Sequence, residues 1–413
     1  MRLRTLLDVG AVWTLRAAAV VLAPLLLFTA RTWHGRAVGT LFVALWTGFS
    51  CFVLLNVMAL FPRFVRTPAG ALVPAPMPFG LPIWVFDIVA IASVLLGVAA
   101  FLWCWVVVPF LLFTQPAYRS DTPGLRSVFL GPLFLHRLQM VLLSEPDWLW
   151  LGTLLATRFD LRIKRDERRL IRDTVRHHLD DLKEGNEYRT LPPALPLAVW
   201  GRSLFPDPGH LFAYRPEARD GERLGLLVFL HGHGGNNLLL PHLLRPFADQ
   251  FRCVLVCPSF GYGNWEHPHA AGCVERAVRY AFEHFAEIDP ERVWLAGLSQ
   301  GGAGVGRAAV ALPDVFAGLV FVSPTIEPRV LENEALEGRP VLVIHGDADR
   351  HVKWAHVEKG VEALRRAGAD VTVDRLPTGT HFLLFAYPEA VFGRVAGWAA
   401  GGAGETSPPA AAG

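Results

Sequence analysis

The sequence predicts an α/β fold with a mostly parallel sheet in the second half of the chain, preceded by an all-α transmembrane region. Apolar stretches precede residue 114, and each reaches the roughly 20 residues that a helix needs to cross a bilayer. After residue 196, short apolar runs alternate with segments of helical length. This alternation is typical of parallel strands that are covered by helices on both faces.

The composition supports this division into two unlike halves. Hydrophobic residues make up 52% of the 413 residues and charged residues 18%, and the apolar excess lies in the first third. The net charge of +2 gives no indication of a nucleic-acid partner. The five cysteines show no metal-ligand spacing, and we expect neither a metal nor a cofactor. The lipid bilayer is therefore the expected partner of the first third.

Three apolar segments are predicted to form transmembrane helices, at residues 11–30, 38–61 and 88–113. The second and third contain no charged residue, and the first contains Arg16 near one end, from which a long side chain can reach the headgroups. We therefore expect a multi-pass integral membrane protein. Arginines flank the predicted spans equally on both sides, so the charge distribution does not determine the orientation of the chain.

The region 114–196 joins the two halves. Residues 128–155 are apolar but interrupted by charged residues and a proline, which favours an interfacial or packed helix over a fourth span. Residues 158–189 are highly charged with apolar residues at helical spacing, which indicates a solvated connector helix. The arginines clustered there leave open the alternative that this helix binds lipid headgroups. The predicted domains are thus a membrane region at 1–113, a connecting region at 114–196 that ends in a proline-rich linker, a catalytic domain at 197–399, and a disordered tail at 400–413.

The predicted sheet is built from short strands, of which two leading ones are expected at residues 197–200 and 211–214. Helices are expected at residues 275–285 and 354–366, among others. Active sites in such sheets lie at the carboxyl ends of the parallel strands, so polar residues directly after strands are the candidates. Buried strands are expected at residues 226–230, 253–257, 293–296, 319–322, 341–344 and 371–373.

Ser299 is the predicted nucleophile. It lies at the centre of a G-x-S-x-G sequence, residues 297–301, between the strand expected at 293–296 and an alanine-rich helix. A serine that projects from a sharp strand-to-helix turn leaves no room for side chains two positions away, and glycine fits there. Because a serine hydroxyl is a poor nucleophile at neutral pH, it needs a base within hydrogen-bond reach.

A base and an acid follow the nucleophile in the chain. His381 comes after the last predicted strand and is the candidate base, which takes the proton of Ser299 and returns it to the leaving group. Asp349 follows the strand at 341–344 and is expected to orient the imidazole and stabilise the imidazolium. Asp347, two residues earlier, is the alternative acid.

A glycine-rich loop after the strand at 226–230 is the predicted oxyanion site. The backbone N–H groups of His233, in this loop, and of Gln300, directly after the nucleophile, are expected to hold the developing oxyanion. Tyr262 and Trp265 follow another strand on the same side of the sheet. They are candidates for shaping the substrate pocket, although aromatic packing within the loop explains them equally well.

Residues 197–399 resemble the α/β-hydrolases, in particular the phospholipase/carboxylesterase and dienelactone hydrolase branches. The chain order of serine, aspartate and histidine is the order of that fold. The resemblance implies that the second aspartate of its acid motif, Asp349, is the triad member. The motifs that carry the resemblance are residues 231–235 (HGHGG), 297–302 (GLSQGG), 345–349 (HGDAD) and 379–381 (GTH).

These observations predict a membrane-anchored serine hydrolase of the carboxylesterase or lipase type, with a lipid or another hydrophobic ester as the expected substrate. Two alternatives remain open. A serine peptidase of the prolyl-oligopeptidase type has the same order of catalytic residues, although no propeller domain is recognisable in the sequence. The other alternative is a non-catalytic hydrolase-like module in a membrane complex, which would not need all three side chains.

Overall fold

The computed structural model describes part of the chain. The chain divides into two compact units, one of which is Thr14–Gln115. Within that unit the structure describes two short antiparallel strands, β1 (Phe64–Arg66) and β2 (Leu72–Pro74). The described residues are 64–66, 72–74, 124–129, 145–184, 209–331 and 334–401.

The predicted transmembrane helices at 11–30, 38–61 and 88–113 lie outside the described residues, and they stay predictions. The leading strand expected at 197–200, the proline-rich linker and most of the predicted tail lie outside them as well. In the part of the chain that the structure describes, no helix has the length and apolar character needed to cross a membrane.

Eight strands of the other unit form one sheet. Their order across the sheet is β10-β9-β8-β7-β5-β6-β4-β3. β5 to β10 run parallel, β4 pairs antiparallel with β6, and β3 pairs antiparallel with β4 at the edge. The prediction of a mostly parallel α/β sheet is confirmed, and all six predicted buried strands lie within observed ones. The strands are β3 (Leu125–Phe129), β4 (His210–Tyr214), β5 (Leu224–Leu230), β6 (Cys253–Pro258), β7 (Ile288–Leu298), β8 (Gly318–Val322), β9 (Pro340–Gly346) and β10 (Asp370–Leu376).

Helices cover both faces of this sheet. The helix predicted at 354–366 coincides with an observed one, and the helix predicted at 275–285 lies almost entirely within another. Within the described residues the helices are α1 (Glu145–Phe159), α2 (Arg165–Glu184), α3 (Leu239–Phe251), α4 (Ala270–His284), α5 (Gly301–Ala311), α6 (Pro328–Leu331), α7 (Trp354–Arg366), α8 (Leu383–Ala386) and α9 (Pro388–Ala399), with a 3₁₀ turn at Glu334–Leu336.

The two faces of the sheet bury separate apolar layers, because successive side chains of a strand point to opposite faces. In β5, Leu226 and Val228 pack in the layer that α4, α5 and α7 complete. Leu227 and Phe229 pack in the opposite layer, which α2, α3, α8 and α9 complete. Strands that are buried on both faces have nearly continuous apolar sequences, and this is why they are recognisable in the sequence.

Helix α2 belongs to this core. Ile171, Val175, Leu179 and Leu182 recur at helical spacing, and each is at most 5% exposed. They lie in the same apolar layer as residues of α3, against which α2 packs. The helical spacing is therefore confirmed within α2, and one face of this helix is buried against the domain, whereas the sequence indicated a solvated connector.

The sheet extends further toward the N terminus than the sequence predicts. β3 pairs with β4, so the sheet begins at Leu125 and not after residue 197. The apolar segment 128–155 begins in β3 and ends in α1, which packs against α2 as one of the two predicted possibilities requires. Residues 130–144 lie outside the described residues.

Candidate active site

Ser299 occupies a tight turn between β7 and α5. Its φ of +54° lies in the left-handed region, which non-glycine residues rarely adopt. A Cβ on Gly297 would lie 2.5 Å from the carbonyl oxygen of Gly301, and a Cβ on Gly301 would lie 2.3 Å from the carbonyl oxygen of Leu230. Backbone atoms therefore exclude side chains at both glycine positions, as the G-x-S-x-G pattern predicts.

Three side chains form a continuous hydrogen-bonded chain. Oγ of Ser299 lies 2.9 Å from Nε2 of His381, and Nδ1 of His381 lies 2.8 Å from Oδ2 of Asp349. Because a carboxylate only accepts, Nδ1–H of His381 donates to Asp349, and Nε2 is left to accept the serine hydroxyl. The three residues follow β7, β9 and β10, at the carboxyl ends of parallel strands. The structure thus brings together the predicted nucleophile, base and acid.

The surroundings of Asp349 keep its carboxylate ionised. Burial alone would raise the pKa of Asp349, but the hydrogen bond from His381 and the electrostatic attraction to its ring lower it, together with backbone N–H groups. These N–H groups belong to His351 and Val352 and lie 2.8 and 2.9 Å from Oδ1. The net result is a pKa below the ordinary aspartate value, so the group carries a full charge at neutral pH.

The two other polar residues of the motif at 345–349 have different surroundings. Asp347 forms an ion pair with Arg375, with Nε and Oδ1 2.6 Å apart, and it is Asp349 that contacts His381. His345 is fully buried, with Nε2 3.9 Å from Oδ2 of Asp349. Burial lowers the pKa of His345. A neutral His345 ring is therefore packed next to Asp349.

The glycine-rich loop after β5 lies against the turn that carries Ser299. A Cβ on Gly232 would lie 3.3 Å from Cβ of Ser299, and a Cβ on Gly263 would lie 3.0 Å from Cα of His233. Gln300 is the N-cap of α5, so its N–H group lies at the positive end of the helix dipole. Both predicted oxyanion donors therefore belong to segments that border the nucleophile.

The two predicted pocket residues differ in exposure. Tyr262 is half-buried, and its ring meets the ring of His233 edge-on with centroids 4.7 Å apart. Trp265 is 0% exposed, stacks on Phe260, and donates its indole N–H to the carbonyl oxygen of His231 at 2.8 Å. Because Trp265 has no exposed surface to offer a substrate, the alternative interpretation as loop packing fits it, and the pocket interpretation does not.

His351 is a residue of the site whose position the sequence does not reveal. Its ring stacks on the ring of His381, with centroids 5.0 Å apart and planes inclined by 24°. Its Nε2 lies 2.8 Å from Oδ2 of Asp160, in the turn between α1 and α2. Burial lowers the pKa of His351, which is therefore neutral at neutral pH. The only sequence signal is its position two residues after Asp349.

Glu167 of α2 is a second residue that sequence analysis missed. It is 1% exposed, and it accepts hydrogen bonds from the backbone N–H group of Thr380, at 2.9 Å, and from the Thr380 hydroxyl. Nearby, Nζ of Lys164 donates to the carbonyl oxygen of Thr378 at 2.9 Å. The loop that carries His381 is thus tied to the start of α2, and no motif in the sequence indicates this contact.

One group of possible metal ligands occurs among the described residues, outside the Ser299 site. Ligand atoms of His178, Asp181 and His242 lie within 4.8 Å of one another. The Nδ1 atoms of the two histidines are 3.0 Å apart, a hydrogen-bond distance. Burial lowers the pKa of both rings, that of His242 to about 3, so one neutral ring donates to the other. This hydrogen bond accounts for their approach.

Comparison with known proteins finds partial matches in sequence and in structure. Residues 266–396 match the Dienelactone hydrolase family. The uncharacterised protein YfhR of Escherichia coli K12 is 25% identical over 194 residues, which are 37% of this chain and 68% of YfhR. NocK of Nocardia uniformis, which is described as an esterase, is 30% identical over 158 residues, and these residues are 34% of this chain and 46% of NocK. Among solved structures, an esterase of Pyrobaculum calidifontis is 19% identical with a TM-score of 0.39, and the aligned region covers 46% of this chain and 81% of the esterase chain.

The matched family segment contains the three side chains of the hydrogen-bonded chain, since Ser299, Asp349 and His381 all lie between residues 266 and 396. The mostly parallel sheet and the serine on its strand-to-helix turn are features of the α/β-hydrolase fold. The described domain therefore has an α/β-hydrolase-like fold, and residues 266–396 are similar to the Dienelactone hydrolase family. The chain spans less than half of the length of NocK.

Proposed function

We propose that the protein is a membrane-anchored serine hydrolase that cleaves carboxylic esters through an acyl-enzyme on Ser299. The observation that carries this proposal is the hydrogen-bonded chain from Ser299 through His381 to Asp349. A nucleophile is activated when a base lies within hydrogen-bond reach and a third group orients that base. A non-catalytic module has no need for this arrangement, which weighs against that alternative.

In the proposed acylation, Oγ of Ser299 attacks the carbonyl carbon of the ester while Nε2 of His381 takes the serine proton. The carbonyl electron pair moves to the oxygen and forms a tetrahedral oxyanion. When this intermediate collapses, the bond to the alcohol breaks, the alcohol leaves with the proton from His381, and the acyl group stays on Ser299.

In the proposed deacylation, water takes the place of the alcohol. His381 removes a proton from water, the resulting hydroxide adds to the acyl carbon, and collapse of the second intermediate returns the proton to Ser299 and releases the acid. In both steps the ionised Asp349 stabilises the imidazolium that forms and holds its Nδ1–H in place. The steps use water and side chains of this chain alone.

The oxyanion of both intermediates would be held by the backbone N–H groups of His233 and Gln300. Support comes from the loop of Gly232, which contacts the Ser299 turn, and from the position of Gln300 at the start of α5. A helix N terminus favours negative charge, and loss of one such donor typically lowers the rate by about 10²–10³-fold.

Membrane anchoring, and with it a lipid or other hydrophobic ester as substrate, rests on the predicted spans at 11–30, 38–61 and 88–113. An anchor concentrates the domain at the bilayer surface, where such esters are found, but location alone does not select a substrate. Alkaline carbonate extraction of membranes from expressing cells tests the anchor. Retention in the pellet is expected, and release into the supernatant would contradict the anchor without affecting the proposed chemistry.

A substrate panel tests the proposed reaction. Purified full-length protein in detergent is offered p-nitrophenyl esters of increasing acyl length and peptide p-nitroanilides, with Ser299→Ala as the control. We expect hydrolysis of esters by the wild type and none by the variant. Comparable turnover of peptides would favour the peptidase alternative, and no turnover of either class would favour the non-catalytic module.

A further inference from the structure

The turn between α1 and α2, together with the first turn of α2, contacts both loops that supply the base and the acid of the site. Asp160 reaches His351, in the loop of Asp349, and Glu167 reaches Thr380, in the loop of His381. The contacting residues are 191 and 213 positions apart in the chain. What these contacts do in the reaction is an inference that rests on the function proposed above.

Glu167 holds the backbone next to the base. Both of its carboxylate oxygens accept hydrogen bonds from Thr380, one from the backbone N–H group and one from the hydroxyl. Burial raises the pKa of Tyr387, and the negative charge of Glu167 adds to this shift. A buried carboxylate is costly unless such donors satisfy it, so these bonds are maintained in the folded protein. Since Thr380 precedes His381 directly, Glu167 fixes the peptide from which the imidazole projects.

Asp160 holds a ring that supports the base. Its Oδ2 accepts from Nε2–H of His351 at 2.8 Å, while Arg162 donates to both oxygens of the same carboxylate at 2.9 Å. The His351 ring in turn stacks on His381, and the backbone N–H group of His351 donates to Asp349. Two carboxylate–imidazole pairs thus lie side by side, Asp349 with His381 and Asp160 with His351.

We propose that Asp160 and Glu167 are positioning residues of the hydrolase site, which hold the imidazole of His381 in line with Ser299. Glu167 acts through the Thr380 peptide and Asp160 through the ring of His351. Neither residue is placed to contact the Ser299 hydroxyl, because each reaches the triad through another residue. Their loss should therefore lower the rate of the chemical step and leave substrate binding nearly unchanged.

The test measures kcat and KM of full-length protein with the best p-nitrophenyl ester, normalised to the number of sites that a fluorophosphonate titrates. We expect Asp160→Ala to lower kcat about fivefold or more and Glu167→Ala about tenfold or more, with KM within about twofold, since a 1 Å displacement of a catalytic group can cost about 10²-fold. Glu167→Gln keeps an acceptor for the Thr380 N–H group and should restore kcat to within about threefold of wild type.

Matched controls separate positioning from a general loss of structure. Asp173 lies on the same helix and forms an exposed ion pair with Arg169, so Asp173→Asn should leave kcat unchanged. If Asp160 acts through His351, then Asp160→Ala should have no further effect in a His351→Ala background. If Glu167→Ala does not fold, the comparison of Asp160→Ala in the wild-type and His351→Ala backgrounds still tests the inference, because Asp160 lies in a surface turn.

Wild-type kcat for Asp160→Ala, or the same decrease in both backgrounds, would overturn the inference for Asp160. Wild-type kcat for a folded Glu167→Ala, or a Glu167→Gln no more active than Glu167→Ala, would overturn it for Glu167. In either case ester hydrolysis by the wild type, and its absence in Ser299→Ala, would leave the proposed function intact. If the wild type does not hydrolyse esters, the proposed function itself fails.

Discussion

Oγ of Ser299 lies 2.9 Å from Nε2 of His381, although 82 residues separate the two in the chain. The serine is held by the turn between β7 and α5, and the histidine by the loop after β10, to which Glu167 is hydrogen-bonded through Thr380. Their approach is thus a product of the tertiary structure, and the proposed chemistry depends on it.

Asparagine at position 349 should abolish most of the activity. The amide nitrogen would favour a flipped imidazole tautomer, and in the corresponding relay of a serine protease this change lowers kcat about 10⁴-fold. Asp347→Asn is the matched control, because Asp347 pairs with Arg375 and should tolerate the change within about threefold. Steady-state kinetics with an ester checks both. If Asp347→Asn were the inactive variant, the acid would be assigned to the wrong aspartate.

Alanine at position 301 should disrupt the nucleophile turn. Its Cβ would lie 2.3 Å from the carbonyl oxygen of Leu230, which is backbone and cannot move aside. We expect a loss of activity of about 10²-fold or more, measured as kcat/KM. Gly393, inside α9, has open space around it, so Gly393→Ala should keep full activity and stabilise the helix by about 0.5–1 kcal/mol. Equal activity of both variants would contradict the close packing of the turn.

The melting temperature should fall as the pH decreases below neutrality, in part through His231. Burial lowers the pKa of His231 to about 4, and the neutral ring accepts the Phe260 N–H group at Nε2 and donates from Nδ1 to the carbonyl oxygen of Gly232. The unfolded chain takes up this proton near pH 6.5, so the contribution is complete above that pH and is lost as the pH falls toward about 4. The loss is about 1.4 kcal/mol per pH unit.

The variant His231→Gln isolates this contribution. A glutamine oxygen can accept the Phe260 N–H group but does not titrate, so the variant should melt lower at pH 7 and depend less steeply on pH between about 6.5 and 4. Tryptophan fluorescence during heating measures both proteins in the same buffers. Parallel curves for the two proteins would show that His231 does not titrate on unfolding.

The thiols of Cys253, Cys257 and Cys273 should resist alkylation in the native protein. All three are buried, and burial raises their pKa, to about 12 for Cys253 and Cys273. Since the thiolate is the reactive form, iodoacetamide at pH 8 should leave the three peptides unmodified until denaturant is added. Peptide mass spectrometry reads each site separately, and native modification of any of them would show that the core opens in solution.

The strands and the triad follow from local sequence because their signals are local. β5 and β6 are buried on both faces and therefore contain nearly continuous apolar residues. Ser299 is marked by glycines that the turn itself requires, and the order of Ser299, Asp349 and His381 restricts the partners further. The helix α7 is recognisable in the same way, from its length between two strands.

The parts of the fold and of the site that the sequence does not predict depend on contacts between segments that are distant in the chain. β3 joins the sheet as an edge strand that pairs antiparallel with β4, and its five residues, two of them polar, show no pattern that marks a strand. The buried face of α2 is visible as helical spacing, but the surface that covers it is not. Asp160 and Glu167 are likewise two acidic residues among many in a charged segment. Only their contacts with His351 and Thr380, which are distant in the chain, connect them to the site.

Covalent labelling of Ser299 by a fluorophosphonate tests the central claim most directly. Full-length protein is treated with the probe, and the modified peptide is identified by mass spectrometry, with Ser299→Ala and His381→Ala treated in parallel. The arrangement of Ser299, His381 and Asp349 predicts stoichiometric labelling at Ser299 in the wild type, none in Ser299→Ala, and a rate at least about 10²-fold lower in His381→Ala. A wild type that stays unlabelled, or that labels at another residue, would contradict the claim.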